Sequence, residues 1–375
     1  MNLKNNLSLP ATLNSHHDWM ALALEQAKRA LYVSDPNPRV GCVLVNQDNR
    51  CIGQGFTQAV GEPHAEVMAL RDAKGKGAST QGATAYVTLE PCSHHGRTPP
   101  CADALVGAGI QTVVIGASDP NPLVSGNGVK RLQEAGIAVT SGILAHECEE
   151  LNIGFFKRMR TGLPWVRLKM ACSLDGKTAL LNGQSQWITG EAARADGHAF
   201  RARASAVLTG IGTILADDPQ MNVRAIKVPR QPWHVVLDTH LRTPVDTALF
   251  RNEGKKLIYT GSASVQKREA LEQKGACVYV VPDNNNERID LKWTLQDLAG
   301  HECNELHVEA GSTLSSAFLK AGLVDELLIY IAPRLIGQGM DLLTGVKLES
   351  LQQTLDFSFS DMAMVGQDLR LLVRR

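Results

Sequence analysis

One histidine and two cysteines, His64, Cys92 and Cys101, constrain this chain more than any other residues. Each stands where local folding can hold it. His64 follows Pro63 and opens an apolar-periodic stretch to Ala73, which reads as a helix with proline near its first turn. Cys92 comes just after Thr84-Ala85-Tyr86-Val87-Thr88-Leu89, which reads as a strand. Cys101 precedes the helical stretch Ala102 to Ala108. One imidazole and two thiolates on rigid elements form a zinc ligand set whose fourth position stays open.

Glu66 lies two residues after His64 and is not needed as a ligand. An open-sided zinc lowers the pKa of a bound water to about 7. A carboxyl group beside it can take a proton from that water and hand it to a departing amine. His-x-Glu followed by Pro91-Cys92 is the combination a zinc deaminase requires. The usual Pro-Cys-x-x-Cys spacing is not kept, because Ser93 to Pro100 separates the two cysteines. A closed structural site, with His94 or His95 as fourth ligand, is the alternative, and it leaves Glu66 without a role.

Length and composition set the frame. With 375 residues, the chain suits two domains. Apolar residues make up 44% and charged residues 20%, as in soluble globular proteins. Basic and acidic residues balance at 38 each, which disfavours nucleic-acid or anionic-membrane partners. Eight scattered cysteines in a large chain point to reduced thiols and the cytoplasm rather than to a disulfide scaffold. The polar start, Met1 to His16, reads as a flexible tail and not as a secretory leader. No apolar run is long enough to span a bilayer.

Strands alternate with helices along the whole chain. Trp19 to Leu31 reads as an amphipathic helix, Val40 to Val45 as a buried strand, and Cys51 to Thr57 as its hairpin partner. Strands at Thr112–Ile115 and Ile137–Val139 flank a helix from Gly128 to Ala135. The stretch from Ala145 to Arg160 reads as one charged helix, and Thr161-Gly162-Leu163-Pro164 stops it. The domain junction is placed there, giving domains of 17–160 and 161–375. The second domain repeats the alternation. Its expected strands start at Trp165, Ala206, Trp233, Leu257, Cys277, Leu306 and Leu327, with helices at Glu191–Arg203, Ser264–Lys274 and Thr313–Ala321. Both halves are thus α/β. Asp283 to Glu287 looks least ordered.

Gly210-Ile211-Gly212-Thr213-Ile214-Leu215 follows a strand but has Leu where a dinucleotide fingerprint needs its third Gly. A nicotinamide cofactor would therefore need another fold. Val308-Glu309-Ala310-Gly311-Ser312-Thr313-Leu314 runs from strand through Gly to a helix start, which suits a phosphate.

Pro36-Asn37-Pro38-Arg39-Val40-Gly41, Gly61 to Glu66, Glu90 to Cys101 and Asp119 to Gly128 together resemble the deaminase half of the bifunctional riboflavin biosynthesis deaminase/reductase family. The long loop between the cysteines is that family's mark. Lys169 to Lys177, Gly183 to Gly190 and Gly210 to Pro219 resemble its reductase half, in the same order. The resemblance implies a cytidine-deaminase-like three-layer α/β/α sandwich, then a dihydrofolate-reductase-like α/β domain. It implies Zn2+ on His64, Cys92 and Cys101, Glu66 as the catalytic group, and a diaminopyrimidinone with a phosphoribosylamino group as substrate. Asn37, His94 and Arg97 would contact that substrate. In the second domain Ser185, Arg201, Met221, Arg224 and Glu309 would hold ribose and phosphate. Ala171, Trp187, Thr213, Asp217 and Gly311, Ser312, Thr313 and Leu314 would line an NADPH site, with Lys169 near the sugar. Two positions depart from the pattern: Thr57 stands where the family often has His, and Met221 where it usually has Leu. A homodimer or larger homo-oligomer, paired through sheet edges, is expected.

Taken singly, several of these residues have plain readings. Asn37 could be a turn residue between prolines, Arg194 and Arg201 a solvated helix face, Trp187 core, and Asp217-Asp218-Pro219 a turn end. Two other functions stay open: a nucleoside or transfer-RNA deaminase with an unrelated appendage, and a structural zinc module joined to a ligand sensor.

Overall fold

The computed structural model describes residues 13–93, 99–122, 125–262, 264–282, 288–347 and 349–375. His94, Arg97, most of the expected tail and Asp283 to Glu287 lie outside the described residues. The chain divides into two compact units, one ending at Gly162 and the other beginning at Leu163.

In the first unit, α1 (His16–Lys28) starts on a capping box. Ser15 Oγ accepts the Asp18 amide, and the Asp18 carboxylate accepts the Ser15 amide at 3.0 Å. Then come β1 (Gly41–Val45), β2 (Cys51–Phe56), α2 (Ala65–Gly75), β3 (Thr84–Leu89), α3 (Cys101–Gly107), β4 (Thr112–Ala117), α4 (Asn127–Glu134) and β5 (Ala138–Ser141). The unit closes with α5 (Ala145–Leu151) and α6 (Ile153–Thr161). Strand order is β2-β1-β3-β4-β5, with β1 antiparallel to both neighbours and β3, β4 and β5 parallel.

Glycines show which helix covers which face. A Cβ on Gly41 would lie 1.9 Å from Ala23 O in α1. One on Gly53 would lie 2.3 Å from Ala69 O, and one on Gly55 2.6 Å from Ala65 O, both in α2. Gly41 pairs with Phe56, whereas Gly55 pairs with Cys42, so the two sets point to opposite faces. Helix α5 packs beside α1, and α3 sits between α2 and α4. The result is a three-layer α/β/α sandwich.

The expected single helix from Ala145 to Arg160 is two helices, broken at Asn152. The Asn152 side chain accepts the Arg39 amide at 2.7 Å and donates to Arg39 O at 3.0 Å. That pairing, 113 residues apart in sequence, turns Asn152 out of helical geometry.

The second unit holds β6 (Trp165–Ser173), β7 (Lys177–Leu180), α7 (Glu191–Arg203), β8 (Ala206–Gly210), α8 (Ile211–Asp217), β9 (Trp233–Leu237), β10 (Lys256–Thr260), α9 (Val265–Glu272), β11 (Ala276–Val280), α10 (Leu291–Gly300), β12 (Glu305–Glu309), α11 (Ser312–Lys320), β13 (Glu326–Ala332), β14 (Gly339–Asp341), β15 (Ser358–Val365) and β16 (Asp368–Arg374). Nine strands form one sheet in the order β11-β10-β9-β8-β12-β6-β13-β16-β15. The first seven in that order are parallel, and β16 and β15 add an antiparallel hairpin at one edge. This is the dihydrofolate-reductase-like domain. Strands β7 and β14 make a separate ribbon.

The two faces of the large sheet differ in kind. One presents Val166, Leu168, Met170, Leu306, Val308, Ala206 and Leu208 to Leu295 and Leu298 of α10 and Phe318 and Leu319 of α11. Burying each such side chain contributes roughly 1.5–3 kcal/mol. The other face carries Arg167, Lys169, His307 and Glu309 under α7. It is wired by ion pairs: Arg167 bonds Glu305 and Glu326, and Arg203 Nη2 reaches Glu305 at 2.8 Å.

Candidate active sites

Three segments meet where β3 ends. His64 is the N-cap of α2. Cys92 follows β3, and Cys101 is the first residue of α3. His64 Nδ1 lies 3.3 Å from Cys101 Sγ and 3.8 Å from Cys92 Sγ. Zn–S bonds of about 2.3 Å and Zn–N bonds of about 2.0 Å in a tetrahedron put such ligand atoms roughly 3.6 Å apart. The two nitrogen–sulfur distances therefore already match edges of a zinc shell, and all three donors lie within 4.8 Å of one another. The thiols need a cation as well: Cys92 is drawn down to about 4 by its bond with Cys101. Cys101 in turn is pushed up, because a second thiolate would sit against the first. A divalent ion removes that conflict, so the residues fit the metal.

Glu66 sits in the first turn of α2, 4% exposed. Burial, with the Cys92 thiolate, pushes its carboxyl up to about 7. A group near neutrality suits work as both base and acid. Asn37 is half-buried in the turn before β1, its amide donating to Ser34 O at 2.8 Å. Gly41 N donates to Thr88 Oγ1 at 3.1 Å, so the start of β1 lies beside the end of β3. Asn37, His64 and Cys92 thus arrive at one end of the sheet. Thr57 arrives there too, its amide on Val40 O at 3.0 Å. Its buried hydroxyl has no partner among the described residues.

The second unit gathers its residues at the carboxyl ends of β6, β8 and β12, which is where open α/β sheets bind ligands. Arg201 on α7 grips Glu309 with two bonds, Nε to Oε1 at 2.5 Å and Nη2 to Oε2 at 2.8 Å. Its third donor reaches Asn222 O at 3.0 Å. Lys169 is the register partner of Glu309 across β6 and β12. Burial lowers the Lys169 ammonium, and Glu309 opposes that. Arg224 is exposed and donates to Asn222 Oδ1 at 3.2 Å. Three cations around one carboxylate leave a surplus of positive charge, as a phosphate requires. His198, one helical turn before Arg201, is held down to about 4 by burial and by Arg201 and Arg224, so it stays neutral.

Met221 is expected to offer the substrate a backbone or apolar contact. Its side chain is buried, 4% exposed, in the cluster of Val207, Ile214 and Val236. Its backbone stands in the left-handed region, at φ +54°. Thr213 lies on α8, and Leu314 lies on α11. A Cβ on Gly210 would come within 3.1 Å of Leu314 Cδ2, so the start of α11 meets the end of β8. The N-cap of α11 is Gly311, which offers no side-chain cap and leaves first-turn amides open to a pyrophosphate. Ala171 lies near the carboxyl end of β6, packed against the cluster of Phe200, Leu328 and Tyr330. These residues fit a dinucleotide. Asp217 ends α8 and is exposed. Neighbouring Asp218 is structural, accepting Thr247 Oγ1 and the Ala248 amide. Ser185 and Trp187 lie on an exposed loop. The Trp187 ring lies 4.5 Å from the Arg194 guanidinium, and its carbonyl accepts Arg334 at 3.0 Å. Trp187 is 59% exposed, not core.

Known proteins agree with both units. Residues 13–117 match the cytidine and deoxycytidylate deaminase zinc-binding region, and residues 164–370 match the RibD C-terminal domain. The riboflavin biosynthesis protein RibD of Escherichia coli K12 is 44% identical over 94% of this chain and 97% of its own length. This chain belongs to the RibD family. Among solved RibD structures, that of Acinetobacter baumannii superposes with a TM-score of 0.88 at 45% identity, covering 96% of this chain and 98% of that one. A Thermotoga maritima diaminohydroxyphosphoribosylaminopyrimidine deaminase/5-amino-6-(5-phosphoribosylamino)uracil reductase gives 0.86 at 35% identity, with the same coverage. As a RibD, the chain is a bifunctional enzyme of riboflavin biosynthesis, a deaminase joined to a reductase, with Zn2+ and NADPH as cofactors. Its substrates are small pyrimidines. Among the described residues no helix is long and apolar enough to cross a membrane.

Sequence reasoning passed over Glu90 and His198. A charged residue directly after an apolar strand, and a His three residues before Arg201 on one helix face, were the available signals.

Proposed function

We propose that the first domain deaminates 2,5-diamino-6-(5-phosphoribosylamino)pyrimidin-4(3H)-one. The second would then reduce the phosphoribosyl group of 5-amino-6-(5-phosphoribosylamino)uracil to its ribityl form. The observation that carries the first step is the His64-Cys92-Cys101 triangle beside buried Glu66. These three side chains would hold Zn2+, which when bound activates water and leaves a coordination position free. Glu66 takes a proton from the attacking water and delivers it to the exocyclic nitrogen. A C–O bond forms, the C–N bond breaks, and ammonia leaves. Asn37 would bond the pyrimidine ring. His94 and Arg97 would meet the substrate as well, Arg97 at its phosphate.

In the second domain Arg224, Arg201 and Lys169 would receive the phosphate and ribose, with Ser185, Glu309 and the Met221 backbone completing the pocket. Ala171, Trp187, Thr213, Asp217 and residues 311–314 would seat NADPH, which supplies a hydride when bound. The protein's share is alignment and charge balance: Lys169 and Glu309, register partners across β6 and β12, would meet the sugar as it opens.

A homodimer or larger homo-oligomer belongs to this reading. Phe359, Met362 and Met364 on edge strand β15 pair with Val373, Leu371 and Leu369, so they share one face, and all three are mostly exposed. An apolar edge of this kind calls for a cover. The cytoplasm suits eight cysteines none of which is in a disulfide.

Glu66→Gln tests the chemistry. Zinc should remain bound, ammonia release should fall by about 100-fold or more, and reduction of the deaminated substrate should be untouched. Loss of zinc together with folding would favour a structural metal site instead.

A further inference from the structure

Glu90 stands between the last residue of β3 and Pro91-Cys92, and it is 3% exposed. Its carboxylate accepts four main-chain N–H groups. Oε2 takes those of Asp119 at 3.3 Å and Gly126 at 3.2 Å. Oε1 takes those of Gly128 at 3.0 Å and Val129 at 3.2 Å. The last two belong to the first turn of α4, whose N-cap, Gly126, has no side chain with which to cap it. Glu90, just past β3, supplies the acceptor that α4 lacks. Contact is close as well: a Cβ on Gly128 would lie 2.1 Å from Pro91 O.

This anchoring joins two neighbouring connections. β3 and β4 are parallel partners. The connection leaving β3 carries Cys92, and the one leaving β4 runs from residue 118 to α4. Adjacent connections at the carboxyl ends of parallel strands form the crevice in which such sheets hold ligands. We propose that Glu90 is a positioning residue of the deaminase, locking Asp119, Gly126 and the first turn of α4 against Pro91 as part of the wall of the pyrimidine pocket. The proposal rests on the deaminase reading above. A buried carboxylate suits the task because its two oxygens can accept all four amides at once. A carboxamide would accept two and point its own N–H groups at the others.

The test uses the full-length, zinc-loaded protein carrying Glu90→Gln and, separately, Gly128→Ala. Ammonia release is followed against substrate concentration, with metal content and reductase rate measured on the same samples. In both variants kcat/KM for deamination should fall about 10-fold or more, mostly through KM. Zinc should stay at one per chain, and the reductase rate should not change. Unchanged KM in both variants would overturn the proposal. So would loss of zinc in step with activity, which would make Glu90 a support of the metal alone. Failure of the deaminase reading itself would appear separately, as absence of ammonia release from the unsubstituted protein.

Discussion

Arg201 and Glu309 are each other's main partner, yet both are expected at the substrate, and that double duty separates them from Arg224. Removing Arg201 strands a carboxylate among buried groups. A fully buried pair broken this way costs about 3–5 kcal/mol. Here the side chains are 18% and 21% exposed, so Arg201→Ala should destabilise the reductase domain by roughly 2 kcal/mol. Among the described residues Arg224 makes one side-chain bond, at the surface. Arg224→Ala should leave the urea midpoint nearly unchanged and raise KM for the reductase substrate about 10-fold, with deamination intact. Equal stability losses in the two variants, or equal loss of both activities with Arg224→Ala, would contradict this assignment.

Elements of the deaminase sheet were legible because their signals are local. Val40 to Val45 is an unbroken apolar run, and β1 follows it. The break in the Ala145–Arg160 helix was not legible, because it depends on Asn152 finding Arg39 across the fold. Strand β15 escaped for another reason. A bulge between Phe359 and Asp361 shifts the register, so the alternation that would announce a strand changes phase midway. The metal triad was readable from residue type and spacing, whereas the Glu90 anchor needed the third dimension to reveal its four amides. Packing between elements gives its own prediction. Gly41→Ala places a methyl carbon 1.9 Å from Ala23 O and 2.5 Å from Ala27 N, atoms of the α1 backbone that cannot swing aside. The substitution should lower deaminase-domain stability by about 3 kcal/mol, measured in urea, while reductase activity persists. An unchanged midpoint would mean that α1 is not fixed on β1.

At the scale of the molecule, edge strand β15 is the feature to probe. Met362→Lys with Met364→Lys puts charge on the exposed apolar side of that strand. Sedimentation should show a shift to monomer with both active sites still competent. An unshifted mass would move the subunit contact elsewhere. The fold class of both domains was legible, since alternating strands and helices allow few solutions, but the order of nine strands was not. That order has a consequence for how the chain comes off the ribosome. Everything the deaminase sheet needs is synthesised by residue 162. The reductase sheet must wait, because β16, residues 368–374, slots between β13 and β15 and is its final strand to be made. Domains fold in order of synthesis, so a message cut short before those codons would yield a finished first enzyme tethered to an open, sticky second one.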